Sequence, residues 1–178
     1  HPQKDLTLIG ITGTKGKTTV SWMLKAILEA EGNKTGLIGT NGAYIGQVRV
    51  PILNTTPPSY DIFHLLDRMK KDGCRYVVME VSSQGLMMDR VEGLVFDYGI
   101  FTNISPDHIG AGEHRNFEEY LYWKSMLFQQ SRMGIVNGDD LRAGDIMKGS
   151  TCPFLLFGTN PLDERIRYAA GDISLVKT

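Results

Sequence analysis

Apolar positions along the chain switch between two rhythms. Leu6 to Ile11 is a short unbroken apolar run that ends in a glycine-rich turn, as a buried strand would. Thr18 to Ala30 changes to helical spacing, with Val20, Met23, Leu24, Ile27 and Leu28 on one stripe and Gly32 as a stop. Residues 35 to 54 carry glycines and short β-like runs, including "AYIGQVRVPIL", and predict a hairpin excursion. Ser59 reads as the N-cap of a helix bearing Ile62, Phe63, Leu65, Leu66 and Met69, which Gly73 ends. "CRYVVMEV" and "YGIFTNI" are near-continuous apolar strands of the kind buried in parallel sheets. Phe117 to Gln130 predicts one helix, "MGIVN" a strand, Asp139 to Lys148 a helix and "PFLLFG" a strand.

Strands alternating with helices predict an α/β fold, a mostly parallel sheet flanked by helices. Ligands bind such sheets at the carboxyl ends of the strands. The polar residues fall there. Gly13 to Thr18 follow the first strand. Glu80, Ser82 and Ser83 end "CRYVVMEV", Asn103, Asp107 and His108 follow "YGIFTNI", and Asn137, Asp139 and Asp140 follow "MGIVN".

Composition narrows the class without naming the chemistry. The 178 residues are 42% hydrophobic and 22% charged, which fits one globular domain with a proper core. A net charge of −1 gives no global field toward nucleic acid or an anionic membrane. Cys74 and Cys152 lie far apart without metal-ligand spacing and read as reduced core thiols of a cytosolic protein. No apolar run approaches the ~20 residues of a membrane span, and no signal peptide opens the chain. His1 to Asp5 run almost directly into a core strand, and "RIRYAAGDISLVKT" reads as a strand that continues. The expectation is therefore a domain or fragment of a longer protein.

The most specific stretch is "ITGTKGKTTV", residues 11 to 20. Gly16, Lys17 and Thr18 supply the end of a phosphate loop of the pattern G-x-x-x-x-G-K-[ST]. Ile11 holds the place of the usual first glycine, and Gly13 lies three residues before Gly16 instead. Backbone N–H groups of such a loop wrap phosphate oxygens, and the following helix N-terminus adds positive potential. Lys17 would neutralise phosphate charge, and Thr18 would offer its hydroxyl to Mg²⁺. The bland alternative is a tight glycine turn with a solvated lysine.

Glu80 closes an apolar run, and a carboxylate there needs a partner because burying an unpaired charge is costly. Mg²⁺ and a nearby Lys or Arg are the competing partners. His108 alone is weak evidence, strengthened by its place beside Asp107 past a strand end. Lys124 stands in the middle of a stripe of Phe117, Tyr120, Leu121, Leu127 and Phe128. It can snorkel, be neutralised by burial, or add CO₂ as a free amine to become an anionic carbamate. Spacing favours snorkelling.

Together "GTKGKTT", "NTTP", "EVSSQGL", "DRV", "FTNISPDH" and "EEYLYWKSMLF" resemble the central ATP-binding domain of the Mur ligases, with its P-loop NTPase-like fold. The pair "NTTP" and "EVSS…DRV" is most similar to the enzymes adding the third peptide residue to UDP-MurNAc-L-Ala-D-Glu. The resemblance covers most of residues 6 to 140 and fades after Asp140. It implies that ATP phosphorylates the free carboxylate of the nucleotide-sugar peptide, that an amino acid's amine attacks the acyl phosphate, and that a peptide bond, ADP and phosphate result.

The resemblance also implies residue roles. The loop Gly13, Thr14, Lys15, Gly16, Lys17, Thr18 and Thr19 would bind ATP, with Asn137 near the nucleotide. Thr18 and Glu80 would hold one Mg²⁺, and His108 with a carbamylated Lys124 a second. That assignment reverses the snorkelling preference. Thr55, Thr56, Ser82 and Arg90 would contact the UDP-muramoyl peptide, and a guanidinium at 90 suits a carboxylate or pyrophosphate. Expected partners are the UDP-MurNAc-dipeptide and either diaminopimelate or lysine, for a monomeric bacterial cytoplasmic enzyme. A UDP-binding domain would precede the chain and an amino-acid-binding domain would follow it.

The chain departs from the family pattern between residues 105 and 116. Pro106 stands where arginine is common, Gln84 replaces a histidine, and Met88 stands where a substrate-contacting glutamine is usual. Two alternatives remain at this stage. One is a related ligase acting in folylpolyglutamate or cyanophycin synthesis. The other is a non-catalytic nucleotide-binding module.

Overall fold

The computed structural model describes residues 4–106, 110, 114–160 and 164–169. Among these residues a nine-stranded sheet runs in the order β4-β3-β2-β5-β1-β6-β7-β8-β9. Strand β1 (Thr7–Thr12) is central, flanked in parallel by β5 (Tyr76–Glu80) and β6 (Phe96–Phe101). Strands β2 (Thr35–Gly39), β7 (Ser131–Asn137), β8 (Phe154–Gly158) and β9 (Ile166–Ala169) extend the parallel part. The predicted hairpin excursion is an antiparallel meander from β2 into β3 (Gly42–Ile45) and β4 (Val48–Val50).

Alternation along the strands supplies both faces with apolar side chains. Ile9, Ile11, Val78 and Ile100 face helix α1 (Lys17–Ala30), which packs on them with Val20, Leu24 and Leu28. The opposite face presents Leu8, Val77 and Met79 to helix α2 (Ser59–Lys71), whose Ile62, Leu65, Leu66 and Met69 are all buried. Farther along that face, Phe101 and Val136 meet Tyr120 of helix α4 (Phe117–Ser125), Phe128, and Ile146 of helix α5 (Ala143–Met147).

Several sequence expectations need correction. Met23 and Ile27 are each 60% exposed, whereas Ser21 and Lys25 of α1 are buried. Pro58, not Ser59, precedes the first residue of α2, and Ser59 Oγ donates instead to the Asp89 carbonyl. The helix expected over Phe117–Gln130 stops at Ser125 and tightens into a 3₁₀ segment, Met126–Gln130. Ser125 Oγ donates to the Tyr122 carbonyl, a local bond that competes with helix continuation. The helix expected from Asp139 begins only at Ala143, because Asp140 accepts from Arg142 N and holds a turn. A short helix α3 (Ser83–Met87), capped by Ser82, lay unrecognised in "SSQGLM". Both cysteines are free, Cys74 buried and Cys152 half-buried.

Candidate functional site

The glycine loop between β1 and α1 is fixed by its neighbours. Gly13 has a φ of 148°, and a Cβ there would overlap Thr102 Oγ1, so the loop needs glycine for both conformation and space. Asn103 closes the loop from β6, accepting from Lys15 N at 2.9 Å and donating to the Lys15 carbonyl at 3.0 Å. Thr14 is buried, and its hydroxyl accepts from Ser105 N and meets Tyr120 Oη at 3.1 Å. Gly16 adopts a left-handed φ of 84° and starts α1, with Lys15 and Thr19 exposed. Lys17 curls back over the loop, Nζ donating to the Gly13 and Thr14 carbonyls at 2.8 and 3.2 Å.

Glu80 ends β5 with its side chain fully enclosed, 0% exposed. Its described partners are neutral donors. Thr18 Oγ1 donates at 2.9 Å, and Thr40 donates through both its amide and its hydroxyl at 3.1 Å. The Lys or Arg partner offered by the bland reading is not among them. Gly39 makes this possible, because a Cβ there would overlap Glu80 Oε1. Thr40 was missed from the sequence. It is a small polar residue in a glycine-rich turn and carries no charge to mark it. Its hydroxyl also lies 3.1 Å from that of Thr55, so it joins the carboxylate to the "NTTP" segment.

That segment and α3 are tied together. Buried Thr56 donates to the Glu80 carbonyl at 3.1 Å and accepts from Ser82 N at 2.9 Å. Ser82 Oγ caps α3 by accepting from Gly85 N at 3.0 Å. Asp89 turns the chain with a left-handed φ of 53°, which a short polar side chain tolerates. Arg90 can then donate to the Thr56 carbonyl at 2.8 Å and lie 3.1 Å from Met88 Sδ.

Lys124 does not snorkel. It is 1% exposed, donates to the Gly13 carbonyl at 2.9 Å, and stands over the Tyr120 ring at 4.4 Å from its centroid. It lines a small cleft of ≈ 50 Å³ with Lys17, Ser82, Ser83 and Gln84. A roomier groove of ≈ 270 Å³ lies between residues 50–54 and α2, and includes Ile52, Pro58, His64 and Arg68 but no phosphate-loop residue. The residues grouped by sequence thus sit at one edge of the sheet, with Lys17, Thr18, Thr55, Thr56, Glu80, Ser82, Arg90 and Lys124 linked by the contacts above. Asn137 stands apart, its amide donating to the Thr102 carbonyl and accepting from Asp139 N. His108 lies outside the described residues. His114, which sequence reasoning passed over, is fully buried with Nε2 2.8 Å from Ser83 Oγ.

No group of three His, Cys, Asp or Glu side chains forms among the described residues. A buried carboxylate held only by neutral donors, with a threonine hydroxyl on one oxygen, still fits a hard cation that keeps waters and takes its other oxygens from phosphate.

A strand, a glycine loop, a helix and a buried acid at the next strand end define a nucleotide-handling α/β domain. The chain belongs to the Mur ligase family, and the model of the Mur ligase middle domain matches residues 11–177. It is similar to the UDP-N-acetylmuramoyl-L-alanyl-D-glutamate–2,6-diaminopimelate ligase of Caldanaerobacter subterraneus, at 45% identity over 89% of this chain and 33% of that protein. The UDP-N-acetylmuramyl-tripeptide synthetase of Latilactobacillus sakei is 43% identical over 85% of this chain and 30% of its own length. A solved structure of a diaminopimelate ligase of the first kind superposes with a TM-score of 0.76, at 26% identity, over 89% of this chain and 33% of that one. A folylpolyglutamate synthase/dihydrofolate synthase, at 19% identity and a TM-score of 0.66, shares the fold. The chain spans about a third of the length of the relatives it matches.

Proposed function

We propose that this chain is the ATP-handling part of a ligase that joins an amino acid to UDP-MurNAc-L-Ala-D-Glu in peptidoglycan precursor synthesis. The observation that carries the reading is the enclosed Glu80 carboxylate, which meets Thr18 of the phosphate loop on one side and Thr40, next to Thr55, on the other. The names of the relatives at 43–45% identity support the same substrate class. Because those relatives are about three times longer, UDP recognition and amino-acid recognition are assigned to domains beyond these residues.

In this reading the amides of Gly13 to Thr19 and Lys17 bind the ATP phosphates, and Asn137 steadies the strand end beside the nucleotide. Thr55, Thr56, Ser82 and Arg90 hold the muramoyl peptide with its carboxylate toward the cleft of Lys17 and Lys124. An oxygen of that carboxylate bonds to the γ-phosphorus as the bond to the β-phosphate oxygen breaks and ADP leaves. The incoming amine then attacks the acyl carbon and loses a proton, and inorganic phosphate leaves as the amide forms. Thr18 and Glu80 would hold one Mg²⁺, and His108 with Lys124 as its carbamate a second. A metal held there would supply positive charge that lowers the repulsion between phosphate and carboxylate oxygens. The protein's own groups, held by the hydrogen bonds described above, would stabilise the developing charge. A bacterial cytoplasmic monomer is the matching setting.

The test is phosphate release by the complete protein with Mg-ATP and UDP-MurNAc-L-Ala-D-Glu, offering diaminopimelate and lysine separately. Release that needs the sugar peptide and one of the amino acids is expected, and it also names the acceptor. ATP binding without release in any combination would overturn the ligase reading in favour of a non-catalytic module.

A further inference from the structure

His114 lies between strand β6 and helix α4, just before the residues that open α4. This imidazole is fully buried and bonded through Nε2 to Ser83 Oγ at 2.8 Å. Ser83 opens α3 immediately after Ser82, whose amide and hydroxyl are engaged with Thr56 and Gly85. The other side of the imidazole packs on Tyr120, centroid to centroid 5.2 Å. Tyr120 in turn reaches the phosphate loop through Thr14 and carries Lys124 over its ring. His114 therefore stands between the two halves of the cleft, bonded to one and packed on the other.

We propose that His114 is a positioning residue that holds the Ser82–Ser83 turn at a fixed distance from the phosphate loop and Lys124, using Tyr120 as the platform. Its effect falls on the sugar-peptide side of the reaction, since its hydrogen bond ends on Ser83 while the loop keeps its own ties to Asn103 and Ser105. Burial makes the bond matter, because removing one partner leaves the other without a substitute from water.

This inference rests on the ligase reading for its kinetic arm. In the complete protein, His114→Phe keeps a ring on Tyr120 and loses the nitrogen. His114→Gln places an amide group at the reach of Nε2. The expected result is a rise of about tenfold in KM for UDP-MurNAc-L-Ala-D-Glu in the Phe variant, with KM for ATP within about twofold and with most of the loss recovered in the Gln variant. Ser83→Ala should reproduce the split, and adding it to His114→Phe should cost nothing more. Equal effects on both KM values, no advantage of Gln over Phe, or multiplying effects in the double variant would overturn the proposal. If His114→Phe does not fold, Ser83→Ala decides alone, and an unchanged sugar-peptide KM overturns it.

Hydrogen exchange at the Gly85 and Leu86 amides reads the same tie without turnover. It should quicken in the Phe variant and not in the Gln variant, and equal exchange in both overturns the proposal. A wild-type protein that never releases phosphate defeats the ligase reading and leaves this second readout to judge His114.

Discussion

The two ends of the sheet use charge in opposite ways. At the amino end, Lys34 meets Asp72 at 2.7 Å, Lys70 meets Asp5 at 3.1 Å and Arg132 meets Asp97 at 3.3 Å, all with at least one well-exposed partner. At the carboxyl end, Glu80 and Lys124 are enclosed and held by hydroxyls, amides and carbonyls. Exposed pairs gain little because water and salt already screen them. Enclosed charges held by neutral dipoles keep most of their field for whatever enters the cleft. The difference teaches where to look for chemistry. A charge whose opposite is already beside it at the surface is spoken for, while an enclosed carboxylate such as Glu80, held by neutral donors, keeps its charge for a cation that enters the cleft.

The comparison breaks most easily at Glu80. Glu80→Gln keeps the side-chain shape and an oxygen for the Thr18 and Thr40 hydroxyls, gives up the bond from Thr40 N and removes the charge. Phosphate release by the complete protein should fall by about a thousandfold or more, while the lost bond from Thr40 N costs only about 1–3 kcal/mol in stability. A loss below about tenfold would put the acid on the structural side of the contrast.

Gly39→Ala tests the same carboxylate from behind. The added Cβ would overlap Glu80 Oε1, so the acid must shift away from Thr40. A displacement of this kind costs about a hundredfold in rate, and overpacking costs about 1–3 kcal/mol in stability. Rate and unfolding measurements on one preparation would separate the two. Arg90→Lys is the milder change, at a residue that the proposed function assigns to the sugar peptide. An ammonium cannot both reach the Thr56 carbonyl and present a planar fork, so KM for the sugar peptide should rise about tenfold while KM for ATP stays put.

Much of this contrast was legible in the sequence. The order of strand, glycine loop and helix declared itself through glycine spacing and a change of period. Glu80 stood out because an acid at the end of "YVVME" breaks an apolar run. The faces of α1 did not declare themselves. Apolar spacing put Met23 and Ile27 inside, yet Thr18 must point at Glu80, and positions three and seven residues on share its side of the helix. Those positions are Ser21 and Lys25, which are therefore the buried ones. A long-range hydrogen bond set the rotation, and no local pattern encodes it. Thr40 and His114 escaped for a related reason. Their importance lies in partners 40 and 31 residues away in sequence, Glu80 and Ser83.

At the amino end of the sheet, Cys74 precedes β5 as Glu80 ends it. Burial pushes its thiol above the usual range, with a hydrogen bond from Gly46 and the Lys34 charge pulling back more weakly. A raised value means less thiolate at any pH below it, and the thiolate is the reactive form. Native protein at neutral pH should therefore lose Cys152 to iodoacetamide well before Cys74, as peptide mass mapping would show. Early labelling of Cys74 would mean that this end of β5 opens readily.

The smallest effect is expected for Asp67, hydrogen-bonded to Lys71 at 2.6 Å on the last turn of α2. That bond holds the carboxyl below its ordinary value. A depressed carboxyl contributes stability that is present above the unfolded value and lost as pH falls through the folded one, so any contribution would disappear below about pH 4. The Asp67 side chain is 41% exposed and that of Lys71 75%, and screening should erase the contribution even where the sign permits it. Wild type and Asp67→Asn should thus melt together at pH 7, and their difference should not change as the pH is taken below 4. A clear gap at neutral pH that closes in acid would show that the pair is tied into something larger than its own helix. The contrast between the two ends of the sheet would then be one of degree.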